Sequence, residues 1–84
     1  MSLPRLTLRK VSILLHLDAG RSYRQIAATL DVHLNTVHLH VRQIAESLPA
    51  KPGVSHRDIV LRHLDRLLEY NADIAARVRT DPRP

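Results

Sequence analysis

Cysteine, phenylalanine and tryptophan are missing from this chain of 84 residues, which also has only two tyrosines and two glycines. The absence of cysteine excludes disulfides, cysteine-ligated zinc and thiol chemistry, and it fits a reducing compartment such as the cytoplasm. No run approaches the roughly 18 apolar residues of a membrane span, and the first residues lack the apolar core of a signal peptide. We therefore expect one small cytoplasmic domain with an aliphatic core.

Acidic residues are also scarce, since eight Asp and Glu stand against 13 Lys and Arg and give a net charge of +5. The excess lies mostly in residues 1–51, which hold seven basic and three acidic residues. A positive field attracts polyanions, nucleic acid first, although charge alone favours this class of partner only slightly.

Two short helices are predicted near the start of the chain. Thr7 can cap a helix that runs to about Ala19, and Ser22 with Gln25 forms a capping box that opens a second helix ending near Leu30. Apolar residues recur along both segments at helical spacing, so each helix has one side to bury.

A tight connection and a third helix follow. Asp31 and Val32 form the turn, because Asp tolerates the left-handed conformation better than most residues. The third helix runs to about Leu48, where Pro49 and the segment PAKPG end it and begin a linker over 49–54. Residues 1–48 are thus predicted to form a three-helix unit.

The C-terminal part is predicted to be one long helix over 55–79, opened by a capping box of Ser55 and Asp58 and followed by a frayed tail, 80–84. No strand pair is visible, so we expect an all-α fold without a wing. Two i,i+4 ion pairs are expected to brace this helix: Asp58 with Arg62 and Asp73 with Arg77.

The third helix has two chemically distinct sides. At about 100° per residue, Val37, Val41, Ile44 and Leu48 fall on one side, which we expect to be buried. The polar groups opposite can hydrogen-bond base edges or phosphates, and a leucine among them can touch a thymine methyl group. The outward residues are Asn35, His38, Leu39, Arg42 and Glu46.

The segments LT (6–7), AGRSYRQIAATLDV (19–32) and NTVHLHVRQIAESL (35–48) together resemble the helix-turn-helix of the LuxR/GerE type. The resemblance implies that His38, Leu39 and Arg42 face bases, that Thr36 contacts the DNA backbone, and that the helix after the third pairs two subunits. Sigma-factor region 4 and transposase helix-turn-helix units share part of the pattern. The residues that match family positions are Ile26, Ala27, Leu30, Val32, Thr36, Val37, His40, Val41, Ile44 and Leu48.

The chain departs from this pattern at two positions around the turn. Asp31 stands where the family usually has Gly, and His33 stands where it has a capping Ser. His is a poor cap, so the third helix has two possible starts. If it starts late, Asn35 becomes its cap and is not available to DNA.

The geometry of the resemblance also implies contacts with the DNA backbone near the start of the second helix, where cations and hydroxyls would face phosphates. Ser22 is foremost a cap. The predicted backbone-contacting residues are Arg21, Ser22, Tyr23, Arg24 and Thr36.

Apolar residues exceed what a three-helix unit needs. A stripe on the first helix must be covered, and the C-terminal helix has two interleaved stripes, with one Asn that could lie inside a dimer seam. Both sets either form a dimer or partner interface or are taken up by the core of the chain itself. The candidate interface residues are Leu8, Val11, Leu15, Leu61, Leu64, Leu68, Asn71 and Ala75.

The histidines do not form a metal site in this interpretation. His38 and His40 lie about 200° apart on a helix, while His33 and His40 are two turns apart, too far to share zinc. We expect no cofactor. Catalysis is not expected either, because the chain lacks a glycine-rich phosphate loop, a nucleophile motif and a carboxylate pair in a cleft.

These observations predict a three-helix helix-turn-helix core followed by a long C-terminal helix. The expected function is sequence-specific binding of double-stranded DNA by a bacterial or phage transcription regulator, as a homodimer, with the third helix in the major groove. Two alternatives stay open. One is a stand-alone helix-turn-helix protein that grips another regulator as an antiactivator or inhibitor, and the weaker one is the DNA-recognition domain of a transposase.

Overall fold

The computed structural model describes residues 3–80 and contains six helices. The all-α class is confirmed, and residues 3–80 include no strand, so they form no wing. The helices are α1 (Leu8–Asp18), α2 (Tyr23–Leu30), α3 (Leu34–Glu46), α4 (His56–Arg62), α5 (Leu64–Tyr70) and α6 (Ala72–Thr80). Most of the predicted tail, 81–84, lies outside the described residues.

Two of the predicted helix starts form as the local sequence indicates. The Thr7 hydroxyl accepts a hydrogen bond from the Lys10 amide at 3.3 Å, and Ser22 with Gln25 forms the complete capping box. At the start of α4 the Ser55 hydroxyl accepts from the Asp58 amide at 3.2 Å, which is one half of the predicted box. Each cap satisfies an amide that has no partner within its own helix.

The core forms around α1, which packs against α3, α5 and α6. Val11 and Leu14 are fully buried, and Leu15 is half-buried against the same core, whereas Leu8 stays 45% exposed. The apolar stripe predicted on the first helix is therefore covered mainly by the chain's own C-terminal helices. This is the intramolecular alternative that the sequence left open.

The predicted single C-terminal helix is wrong, because the chain bends at His63 and at Asn71 to give three short helices. At the first bend the backbone amide of His63 donates to the Val60 carbonyl, three residues back, at 3.1 Å. Its ring Nδ1 lies 2.9 Å from the Ile59 carbonyl, the group that the amide would bind in a regular helix. The bends let α5 and α6 wrap onto α1, which a straight helix of seven turns does not do.

Asn71, at the second bend, ties the C-terminal helices to the start of the chain. The residue is fully buried, and its Oδ1 accepts a hydrogen bond from the Leu6 amide at 3.0 Å. Its Nδ2 donates to the carbonyls of Pro4 and Leu67 at 3.2 and 2.9 Å. Both the oxygen and the nitrogen of this buried amide therefore have hydrogen-bond partners inside one chain.

The ion pairs also differ from those predicted. Asp73 pairs with Arg5 at 2.7 Å rather than with Arg77, and Asp58 forms no ion pair with Arg62. Arg5 further donates to the Tyr70 carbonyl at 2.8 Å and lies over the Tyr70 ring. These contacts reinforce the attachment of the N-terminal segment near Asn71, and the i,i+4 rule could not predict them because the partners are far apart in sequence.

Candidate nucleic-acid interface

The turn between α2 and α3 places the two helices in a fixed relation. Asp31 adopts the left-handed conformation, with φ 55° and ψ 50°, and the Val32 amide donates to the Ala27 carbonyl at 3.0 Å. Asp can occupy this region because its short polar side chain tolerates it, so the usual Gly of the turn is not needed. The predicted tight connection at Asp31 and Val32 is confirmed.

The third helix starts early. Its N-cap is His33, which makes no side-chain capping hydrogen bond, as expected for a histidine, and the helix begins at Leu34. Asn35 lies in the first turn, where it is exposed and does not cap the helix. The alternative in which Asn35 is consumed as a cap is therefore wrong.

The two sides of α3 separate as the periodicity predicts. Val37, Val41 and Ile44 are at most 1% exposed and pack into the core, and Leu48 just beyond the helix is also buried. Four of the five outward residues, all except Glu46, lie together around one open depression on the surface. Its lining residues are Asn35, His38, Leu39, Arg42 and His56.

His56 is the member of this group that sequence reasoning missed. It is the first residue of α4, which packs along α3. The signals around it indicate a helix start and nothing more, because the direction in which α4 docks on α3 depends on the linker and on the core. Only the packing of α4 against α3 places His56 beside the α3 residues.

Three side chains from three helices meet at one end of this surface. The rings of Tyr23 and His38 are 4.6 Å apart and nearly perpendicular, and the guanidinium carbon of Arg57 lies 5.4 Å from the centre of the Tyr23 ring. Burial raises the pKa of the Tyr23 hydroxyl, with smaller opposing influences of Arg57 and Asp58, so the group remains a donor at neutral pH. The contacts hold the His38 ring against α2.

Arg42, at the centre of this surface, forms an ion pair with Glu46. The Arg42 Nε lies 3.8 Å from the Glu46 carboxylate one turn further along α3, and both side chains are more than half exposed. An exposed pair of this kind is weak, so Arg42 can exchange its carboxylate for a phosphate or a base edge at little cost.

The residues predicted to face phosphates differ in solvent exposure and in the hydrogen bonds that they already make. Arg21, Ser22 and Arg24 are exposed at the start of α2, whereas Tyr23 and Thr36 are half-buried. The Arg21 guanidinium donates to Nδ1 of His16 at 2.7 Å, and the Ser22 oxygen is engaged in its cap. The arginines remain solvent-accessible at one edge of the α2 and α3 unit, and their contact with DNA stays a prediction.

The predicted partner interface is largely corrected. Val11, Leu64, Asn71 and Ala75 are at most 7% exposed within the single chain, so they are core residues rather than a surface for a partner. Leu64, Asn71 and Ala75 are buried because the bends at His63 and Asn71 let α5 and α6 pack against α1, which covers Val11 as well. Of the remaining candidates, Leu15 and Leu68 are half-buried, and Leu8 and Leu61 are exposed.

His40 lies at the edge of the buried side of α3. It is half-buried, and its Nδ1 is buried without a hydrogen-bond partner among the described residues. Burial, with the nearby charges of Lys10 and Arg9, lowers its pKa. Burial and the charge of Arg21 likewise lower the pKa of His16. Both rings are therefore held in the neutral form in the folded chain.

Mild acid is expected to destabilise the fold through these two histidines. The ordinary pKa of each is 6.5, and folding lowers it, so below about pH 6.5 the unfolded chain binds more protons than the folded one. Their full contribution to stability is present above that pH and declines as the pH falls towards the lowered values. Urea unfolding at about pH 7.5 and 5.5 measures the loss in the free energy of unfolding, because histidine titrates in this range. A double variant with His16→Gln and His40→Gln should lose most of the difference, and equal stability of the native chain at both pH values would contradict the assignment.

No three histidine, aspartate or glutamate side chains come close enough to hold a metal ion in the part of the chain that the structure describes. Within residues 3–80, none of the helices is both long enough and apolar enough to cross a membrane.

Residues 4–52 match the sequence model of the homeodomain-like domain family, and they cover α1, α2, the turn and α3. The chain belongs to this helix-turn-helix family, a class of DNA-binding domain. It is also 36% identical, over 64 residues, to the HTH-type transcriptional regulator MalT from two strains of Klebsiella pneumoniae. That match covers 76% of this chain and 7% of each relative, so the chain corresponds to a small part of those proteins. No solved structure matches the chain significantly.

Proposed function

We propose that this protein is a non-enzymatic, cytoplasmic transcription regulator that binds double-stranded DNA by inserting α3 into the major groove. The observation that carries the proposal is the group of outward side chains on α3, Asn35, His38, Leu39 and Arg42, which line one open surface depression. Membership of a helix-turn-helix family and similarity to a transcriptional regulator support the same class of function. Within this class, the LuxR/GerE type is the specific assignment that we propose, on the motifs quoted above.

The chemistry of the four side chains suits base edges. Arg42 can donate two hydrogen bonds to O6 and N7 of guanine, and Asn35 can pair with N6 and N7 of adenine. Leu39 is 40% exposed and offers an apolar contact for a thymine methyl group. In this role His38, whose ring contacts the Tyr23 ring, adds a further hydrogen-bonding group.

The start of α2 would supply sequence-independent affinity. In the proposed complex Arg21 and Arg24 lie over phosphates, with the hydroxyls of Ser22, Tyr23 and Thr36 as further donors. Such contacts fix the register of α3 in the groove without reading sequence.

We further propose that two copies bind two related half-sites. With Val11, Leu64, Asn71 and Ala75 in the core, the candidate residues left for contact between copies are the exposed Leu8 and Leu61 and the half-buried Leu15 and Leu68. Burial of the other candidates reduces the apolar surface that a protein-binding antiactivator would use, which supports DNA as the main partner in this proposal.

A salt titration with a labelled random duplex of about 20 base pairs tests DNA binding. Phosphate contacts from Arg21, Arg24 and Arg42 predict that log K falls linearly with log salt concentration with a slope of about −3. An apolar protein-binding surface predicts little dependence on salt. Absence of binding at low salt, or an affinity that does not change with salt concentration, would contradict the proposal.

A further inference from the structure

The linker returns the chain to the side of α3, so that α4 begins next to the surface assigned to DNA. His56 lines the same depression as Asn35, His38, Leu39 and Arg42 of α3. The guanidinium of the next residue, Arg57, lies over the ring of Tyr23, the first residue of α2. Both side chains are exposed. Two side chains of α4, outside the α2 and α3 unit's own sequence, therefore reach its outer surface.

The dimensions of DNA indicate what these two side chains would meet. An α-helix with its side chains is about 10–12 Å across and the major groove is about 12 Å wide. A helix such as α3 therefore fills the groove, and groups at its flank lie against the groove wall. That wall consists of phosphates, which accept hydrogen bonds from imidazole and guanidinium groups.

We propose that His56 and Arg57 of α4 bind phosphates of the DNA strand along the flank of α3. The proposal rests on the proposed function and extends the DNA-binding surface beyond the helix-turn-helix unit itself. It uses the two side chains and not the backbone amides of α4, one of which is already taken by the Ser55 hydroxyl.

The position of Arg57 groups it with the proposed phosphate contacts at the start of α2. Its guanidinium carbon lies 5.4 Å from the centre of the Tyr23 ring, and Tyr23 stands beside Ser22 and Arg24 at the start of α2. Arg57 would thus add to the phosphate contacts of α2. A guanidinium held over a ring by a cation–π contact still has N–H groups that can donate to a phosphate.

One acidic group opposes this arrangement. Asp58 is the acidic residue of α4, and its charge reaches the Tyr23 hydroxyl. If this surface meets phosphates, removing that charge with Asp58→Asn should tighten binding, in the opposite direction to the loss of Arg57.

The test compares Arg57→Ala with Arg62→Ala in salt titrations on the same random duplex. The two changes remove the same charge from the same helix, but Arg62 lines a different depression, beside Pro49 and Lys51. Arg57→Ala should bind about fivefold more weakly with a salt slope shallower by about 1, as loss of one phosphate contact predicts. His56→Ala should weaken binding in the same direction, and thermal unfolding checks that each variant is folded.

The outcomes separate this inference from the proposed function. If Arg57→Ala binds like Arg62→Ala, or loses affinity without a change of slope, the α4 contact is overturned while DNA binding through α3 stands. If Asp58→Asn fails to tighten binding, the same inference is overturned. If the unmodified chain does not bind duplex DNA, the proposed function fails, and the α4 contact fails with it.

Discussion

Replacing Asn71 with alanine is expected to lower the free energy of unfolding by about 3 kcal/mol, because the side chain satisfies several buried groups at once. It accepts from the Leu6 amide and donates to the carbonyls of Pro4 and Leu67, and no part of it is exposed. Alanine leaves the Leu6 amide buried without a partner and opens a cavity between α5, α6 and the N-terminal segment. For a domain of this size, the loss corresponds to a fall of roughly 15 °C in the melting temperature.

Asn35→Ala is the matched control for this experiment. The same chemical change on an exposed side chain of α3 should alter stability by no more than about 0.5 kcal/mol. Denaturant unfolding of both variants measures the difference. Equal stability of the two would show that Asn71 is not the link between the two ends of the fold.

Replacing Arg42 with alanine is expected to weaken binding to a selected DNA site by about 1 to 3 kcal/mol while the fold survives. The residue is exposed on α3 among the other outward side chains, and its only ion pair among the described residues is the weak one with Glu46 at 3.8 Å. Loss of the guanidinium removes the donor best suited to guanine or to a phosphate. Stability should change little, because the side chain is not in the core.

Replacing Glu46 with glutamine is expected to change DNA binding in the opposite direction to Arg42→Ala. Removing the carboxylate frees Arg42 and lowers the repulsion of phosphates, so binding should become somewhat tighter rather than weaker. Anisotropy titrations of the native chain and both variants at one salt concentration measure the two effects. Unchanged affinity of Arg42→Ala would remove Arg42 from the DNA-binding surface.

Much of the local structure could be predicted from sequence because its signals are local. The caps at Thr7 and Ser22 and the left-handed turn at Asp31 involve residues within a few positions of each other. The burial of Val37 and Val41 follows from their spacing along one helix. These features together define the α2 and α3 unit and the outward side of α3.

The C-terminal half could not be predicted in the same way, because its bends are set by distant partners. Asn71 binds atoms of residues 4 and 6, and nothing near it in sequence indicates them. A continuous apolar pattern over 55–79 is compatible with one helix or with three. The predicted dimer seam failed for this reason, since the bends place Asn71 and Ala75 in the core.

In the candidate site, too, some residues could be predicted from local sequence and others depend on tertiary packing. The side chains of α3 could be assigned to its outer face from helical periodicity alone, but His56 and Arg57 could not, because they reach this surface only through the docking of α4. Secondary structure is thus enough to identify a helix that could read DNA. The groups at its flank require the tertiary arrangement.

An NMR titration of the full chain with duplex DNA directly tests whether α3 contacts DNA, because it locates the contact residue by residue. The amide signals of residues 35–42 are expected to shift progressively as duplex is added, together with signals near the start of α2. Duplex DNA that leaves residues 35–42 unshifted, whether or not it binds elsewhere, would contradict the assignment of α3 as the helix that enters the major groove.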